Sequence, residues 1–151
     1  MLAGALAVPP QYRQVAVWNI ADYEYPDMAP GVAVVATDTA VVASTRSDWF
    51  EDGPQNVTVS VWLGNTPTAD PSLRRCFTGI MRVGPNGVRA GNMMSGNVFD
   101  VEVPEGIHRI EVWANTVLGG PSLVDFRFPE IRASGTPGRS CRTRTKGWTC
   151  T

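Results

Sequence analysis

Three segments of the chain repeat one hydrophobic pattern: a β-branched residue, a spacer, Val and then Trp, at residues 15–18, 59–62 and 110–113. In a β-strand, successive side chains point to opposite faces of the sheet. Each segment therefore places two β-branched residues on one face and a tryptophan on the other. The pattern predicts strands that carry apolar side chains on both faces.

Alternating and apolar runs predict eight or nine short strands, separated by turns rich in Gly, Pro, Asn and Asp. The clearest is residues 57–63, where every second residue is Val or Leu. Hairpins are predicted within residues 32–43 and around the turns at 84–87 and 104–106. This spacing indicates an all-β fold. We predict a single antiparallel β-sandwich, with a jelly roll or a barrel-like closure as the alternatives.

The length of 151 residues favours one domain with three parts. Residues 1–11 are small and apolar but lack a basic leader, so we predict an N-terminal arm and not a signal peptide. Residues 12–131 form the predicted sandwich. Residues 132–151 are rich in Ser, Thr and Arg and predict a flexible basic tail. Since no apolar run is long enough to cross a membrane, we expect no membrane contact and a cytoplasmic location, with an extracellular or virion location left open.

The net charge of -1 conceals an asymmetry between body and tail. From Arg132 onward there are five basic and no acidic residues, so residues 1–131 hold eight basic and fourteen acidic ones. An acidic body suits a basic protein partner. The same acidic body opposes binding of nucleic acid, to which the basic tail would make only weak electrostatic contact.

Candidate catalytic and metal-binding residues are few. The one histidine, His108, falls by parity on the side of Ile110, at the rim of the predicted core, where a structural role is the simpler interpretation. The three cysteines, Cys76, Cys141 and Cys150, have no zinc-site spacing. Cys141 and Cys150 would be able to pair in an oxidising compartment. We therefore predict no cofactor, no metal and no enzymatic activity.

Two acidic loops contain aromatic residues. Oxygen-rich loops can hold a cation, and paired carboxylates beside aromatic rings can cleave glycosides. Neither loop has a defined ligand or catalytic spacing, so we expect solvated loop charges. The carboxylates concerned are Asp22, Glu24 and Asp27 in the first loop, and Asp48, Glu51 and Asp52 in the second.

The outward tryptophans suggest a binding surface. If the strands bearing Trp62 and Trp113 are neighbours, their indoles would form an aromatic face suited to a partner protein or a sugar ring. The alternative is that loops cover this face and make each tryptophan a second layer of the core. The polar residues predicted on the same face are Thr58, Ser60, Arg109 and Glu111.

Residues 56–130, about half of the chain, contain a characteristic order of sequence features. A V-x-V-x-V strand leads to a charged loop, then to VEVPEGIHRIEVWA at 101–114 and to VDFRFP at 124–129. This resembles small bacterial, largely actinobacterial, β-sandwich proteins akin to the competence protein J family, most of unknown function. The family usually has Tyr in place of His108 and Trp in place of Phe128. The resemblance implies a β-sandwich, and the family's namesake inhibits a nuclease of DNA uptake.

Together these features predict a non-catalytic, protein-binding β-sandwich. Its acidic body and the resemblance favour an inhibitor or immunity-type protein directed against a basic nuclease or toxin. One alternative is a phage or virion structural or assembly module, in which arm and tail become ordered on assembly. The other alternative is a carbohydrate-binding module that uses Trp62 and Trp113.

Overall fold

The computed structural model describes residues 1–29, 31–47, 49–50, 53–65, 70–131, 141–144 and 147–150. One 3-10 turn, Gln11–Arg13, lies among the strands. The strands of these parts of the chain are β1 (Leu2–Val8), β2 (Gln14–Asn19), β3 (Val34–Ala36), β4 (Ala40–Ser44), β5 (Trp49–Phe50), β6 (Gly53–Pro54), β7 (Val57–Leu63), β8 (Leu73–Val83), β9 (Val88–Asn92), β10 (Asn97–Val101), β11 (Gly106–Asn115), β12 (Leu123–Phe128), β13 (Cys141–Arg144) and β14 (Gly147–Cys150).

Two five-stranded sheets form the body of the protein. The first sheet has the order β1-β7-β12-β11-β8, and the second has the order β10-β9-β2-β4-β3. All neighbouring strands in both sheets are antiparallel except β7 and β12, which are parallel. The predicted β-sandwich is confirmed, and the two sheets stay separate instead of closing into a barrel.

A single core fills the space between the sheets. The predicted alternation is confirmed in β7, where Val57, Val59 and Val61 are fully buried. They pack in the same cluster as Val15 and Val17 of the second sheet. Burying these β-branched side chains stabilises the fold by roughly 1.5–3 kcal/mol each.

Two of the three predicted hairpins are wrong. β8 pairs with β11, whereas β9 pairs with β2 and β10, so the turn at 84–87 carries the chain from the first sheet to the second. The turn at 104–106 returns it from β10 to β11. The hairpin of β3 and β4 within 32–43 is confirmed. Turn residues specify where the chain reverses, but pairing depends on which sheet buries the apolar face of the next strand.

The crossing at 84–87 is held by specific contacts. The buried Asn19 side chain accepts a hydrogen bond from the backbone N–H of Gly84 at 2.9 Å. Gly87 has a φ of +78°, and a Cβ there would overlap the carbonyl oxygen of Val101. Only glycine fits both the positive φ and this close approach. The turn is therefore shaped for crossing between sheets.

The two ends of the chain both contain strands. Residues 1–11, interpreted as an arm, include β1, which pairs along β7 at the edge of the first sheet and was not predicted as a strand. In the predicted tail, β13 and β14 pair antiparallel with Cys141 opposite Cys150. Most of residues 132–151 lies outside the described residues, so tail flexibility and cysteine pairing stay predictions.

A loop covers the outer face of the second sheet. Trp18 is 4% exposed and packs with Ala16, Ala40 and Val42 beneath Tyr25 and Met28. The loop at 20–29, which carries Tyr25 and Met28, therefore covers Trp18. Among the described residues, no helix has the length and apolar character needed to cross a membrane.

Candidate functional site

The outer face of the first sheet carries the predicted binding residues. On β7, Thr58, Ser60 and Trp62 alternate with the buried valines, so they point away from the core. On β11, Arg109, Glu111 and Trp113 alternate in the same way with Ile110 and Val112. The six predicted residues therefore share one face of one sheet, which we call the indole face.

The strands of Trp62 and Trp113 are not neighbours, because β12 lies between them. β12 is parallel to β7 and antiparallel to β11, and it places Arg127 opposite Trp62 on one side and Glu111 on the other. Asp125 lies opposite Ser60 and Trp113. The indole face thus contains an acid and an arginine that the prediction missed.

A sequence signal for both missed residues exists. In residues 123–128 the apolar Val124, Phe126 and Phe128 alternate with Asp125 and Arg127. The three apolar side chains are fully buried in the core, so the two charged ones must lie on the outer face. The sequence did not reveal that this strand separates the other two.

Arg127 is the centre of the indole face. Its guanidinium carbon lies 4.6 Å from the ring centroid of Trp113 and 5.9 Å from that of Trp62. A cation within about 6 Å of an indole centroid is attracted by the ring, by about 2 kcal/mol where water is excluded. Nη2 of Arg127 also donates a 2.9 Å hydrogen bond to Oδ2 of Asp125. The two residues are 6% and 7% exposed, so this is a buried ion pair flanked by indoles.

The environment of Asp125 raises the pKa of its carboxyl group. Burial, which disfavours the charged form, is the largest cause. The hydrogen bond and charge of Arg127 oppose the increase, and the charge of Asp70 adds to it. The buried N–H of Trp62 has no hydrogen bond within 3.5 Å to the described residues, yet it is near enough to lower this pKa slightly. The net direction is upward because desolvation exceeds the stabilisation by the arginine.

Glu111 organises the other side of the indole face. One of its carboxylate oxygens accepts hydrogen bonds from Arg109 at 2.9 Å and from Arg75 at 3.5 Å. The other accepts the indole N–H of Trp113 at 3.0 Å. Because Arg75 and Arg109 are about half exposed, these pairs lie at the rim of the face. The rim holds the Trp113 ring in place and presents two guanidinium groups around one carboxylate.

The first acidic loop lies against the second sheet, away from the indole face. Asp22, Glu24 and Asp27 are exposed. Between them Tyr25 donates a 3.1 Å hydrogen bond to Oε1 of Gln14. Burial, with a smaller contribution from Tyr23, raises the pKa of the Tyr25 hydroxyl to about 12. The aromatic part of this loop therefore serves to cover Trp18.

The remaining candidates are the second acidic loop and His108. No group of three or more His, Cys, Asp or Glu residues in the described part of the chain is arranged to hold a metal ion. Asp48, Glu51 and Asp52 of the second acidic loop lie outside the described residues. Nε2 of His108 lies 2.5 Å from the carbonyl oxygen of Pro104, and its ring meets Phe128 edge-on at 6.4 Å. His108 therefore lies at the rim of the core, as its parity predicted.

Fold and site together define an all-β sandwich protein with an arginine buried between indoles on one outer face. Among solved structures, the chain is similar to ComJ from Bacillus subtilis, an inhibitor of the DNA degrading activity of NucA. The sequence identity is 16%, the TM-score is 0.55, and the match covers 85% of this chain and 97% of that chain. This similarity shows the fold. No protein-family model and no curated protein matches the sequence.

Proposed function

We propose that this chain is a non-catalytic β-sandwich protein that binds and inhibits a basic nuclease. The observation that carries the proposal is the likeness to ComJ, an inhibitor of the DNA degrading activity of NucA, over 97% of that chain. The sequence resemblance to the competence protein J family supports the same assignment. An inhibitor of this kind acts by occupying the nuclease surface and needs no catalytic residue of its own.

The charge of the body supports a basic partner. Glu102, Glu105 and Glu130 are exposed, and none of them forms an ion pair with another described residue. Glu102 and Ile131, the residue after Glu130, line one cavity of about 400 Å³ at the same end of the sandwich. Unpaired carboxylates on one end attract a cationic protein and accelerate its association.

We further propose the rim of the indole face as a contact surface for that partner. Trp113 and Arg109 are only partly buried, while Glu111 holds both in position. Aromatic and arginine side chains that are already ordered lose little entropy on binding. Arg127 lies over one face of each indole, which leaves less ring surface for a sugar and favours a protein partner.

Calorimetric titration tests the proposal. The full chain is titrated with purified NucA and with a panel of other basic bacterial nucleases. We expect a one-to-one complex with at least one nuclease, loss of its DNA cleavage, and weaker binding as the salt concentration rises. Absence of binding to every nuclease, or binding that salt does not change, would overturn the proposal.

Two charge variants locate the attraction. A triple variant of Glu102→Gln, Glu105→Gln and Glu130→Gln is expected to slow association with the nuclease. The matched control, Asp22→Asn, Glu24→Gln and Asp27→Asn, removes the same charge from the exposed first acidic loop. Equal association rates for the two variants would show that only net charge matters, and would refute an acidic contact at the end of the sandwich.

A further inference from the structure

One end of the sandwich presents two strongly exposed apolar side chains. Leu118, in the loop between β11 and β12, is 94% exposed, and Tyr12, in the turn before β2, is 75% exposed. Single exposed apolar residues are ordinary in soluble proteins. These two differ because a hydrogen bond joins the segments that carry them. The side chain of Arg13, next to Tyr12, donates from Nη2 to the carbonyl oxygen of Gly119, next to Leu118, at 3.2 Å.

The backbone at Tyr12 is strained. Tyr12 and Arg13 have φ angles of 58° and 56°, in the left-handed region that non-glycine residues avoid. The Asn92 side chain holds this turn by donating hydrogen bonds to the carbonyl oxygens of Gln11 at 2.9 Å and Gln14 at 2.8 Å. Such strain costs about 1–3 kcal/mol per residue and persists only where surrounding contacts impose it, most often at functional sites.

Hydrogen bonds at the tip and at the base order the loop that carries Leu118. At its tip, Gly120 donates a backbone hydrogen bond to Val117 at 3.1 Å. At its base, Oδ1 of Asn115 accepts hydrogen bonds from the backbone N–H groups of Ser122 and Leu123. A side chain presented by an ordered loop binds with little loss of conformational entropy. Leu118 is therefore exposed on a pre-organised support.

A small basic cavity lies beside Leu118. Its volume is about 190 Å³, and it is lined by Arg13, Arg46, Ser47, Gln55, Leu118 and Gly119. The Arg13 guanidinium donates to the Gly119 carbonyl and that of Arg46 to the Asn56 carbonyl. No carboxylate of the described chain pairs with either arginine. Two guanidinium groups with spare donors favour a carboxylate ligand.

We propose that this end of the sandwich is a protein-recognition surface, distinct from the indole face. Its partner inserts an acidic side chain between Arg13 and Arg46 and places an apolar side chain against Leu118. The charge of the cavity and the adjacent exposed Leu118 define this chemistry together. The inference does not depend on the partner being a nuclease.

Phage display tests this inference. A library of random short peptides is selected on the immobilised full chain. We expect enriched peptides that carry Asp or Glu next to Leu, Phe or Trp. Synthetic versions should lose at least about tenfold in affinity on Leu118→Ser and on Arg46→Gln, a loss typical of an anchor residue. The control Ile107→Ser removes an apolar side chain that is 70% exposed elsewhere, and it should leave the affinity unchanged.

Three outcomes would overturn the inference: no enrichment above that obtained with the Leu118→Ser protein, enriched peptides without carboxylates, or peptides that bind the Arg46→Gln protein as tightly as the wild type. Unchanged melting temperatures of the variants verify that each is folded. Because no nuclease is used in the selection, its failure is separate from a failure of nuclease inhibition.

Discussion

Replacing Arg127 by Met provides the sharpest test of the indole face. Methionine has a similar length and is apolar, so the substitution removes the guanidinium without leaving a large cavity. The guanidinium is the hydrogen-bonded cation of the buried Asp125 and lies within 6 Å of two indole centroids. Its removal leaves a carboxylate in a desolvated position between Trp62 and Trp113.

The expected loss in the free energy of unfolding is large. Removing one partner of a buried ion pair costs about 3–5 kcal/mol, because the remaining charge is desolvated and uncompensated. The attraction to the nearer indole, at 4.6 Å, is about 2 kcal/mol where water is excluded, and its loss is part of this cost. A domain of this kind has a total stability of about 5–15 kcal/mol, so the change is a substantial fraction of it.

Urea denaturation followed by tryptophan fluorescence measures this loss. We expect a lower midpoint with an unchanged slope, and a smaller loss at acid pH, where Asp125 is neutral. Adding Asp125→Leu to Arg127→Met should restore most of the stability, since an apolar pair can replace a buried ion pair. Arg109→Met is the control, because this half-exposed arginine contributes only about 0–1 kcal/mol. A loss below about 1 kcal/mol for Arg127→Met at neutral pH would contradict a desolvated ion pair between Arg127 and Asp125.

Three further predictions concern other parts of the fold. Because burial raises the pKa of Asp125 above 3.8, its protonation favours the folded state at low pH, and this contribution is lost as pH rises through the raised value. Urea denaturation over this pH range should show the wild type losing stability relative to Asp125→Asn; parallel pH profiles would exclude this. Gly87→Ala should lower the thermal midpoint much more than Gly31→Ala. Both glycines have a φ of +78°, but a Cβ at Gly87 would overlap the Val101 carbonyl oxygen, whereas nothing lies within 4 Å of a Cβ at Gly31. Equal effects would exclude the close approach of Gly87 to Val101. In a spectrophotometric titration of the full chain, one tyrosine should ionise near pH 12, and this ionisation should disappear in Tyr25→Phe. Absence of the high-pH ionisation from the wild type would contradict the burial of Tyr25.

Strand positions followed from local pattern because alternation is a property of neighbouring residues. Residues 57–63 form β7 with the predicted bounds, and their valines face the core. Alternation in residues 110–113 likewise placed Glu111 and Trp113 away from the core. β1 was missed because residues 2–8 are nearly all apolar or small, and such a run has no period that separates two faces.

Pairing could not be predicted in the same way. The turns at 84–87 and 104–106 have the glycine and proline chemistry of reversals, yet both lead from one sheet to the other. Whether two strands around a turn form a hairpin depends on the distant strands that compete for their backbone hydrogen bonds. For β8 the partner is β11, and for β9 the partners are β2 and β10.

Local alternation was sufficient to predict the class of fold, the strand faces and six residues of the indole face, because side-chain direction in a strand has a period of two. The position of β12 between β7 and β11, which lets Arg127 reach both indoles, is a result of the packing of the whole chain. The same packing also brought the turn of Tyr12 next to the loop of Leu118, more than one hundred residues away along the chain. Both arrangements depend on which apolar faces pack together across the core, and no local stretch of sequence contains that information.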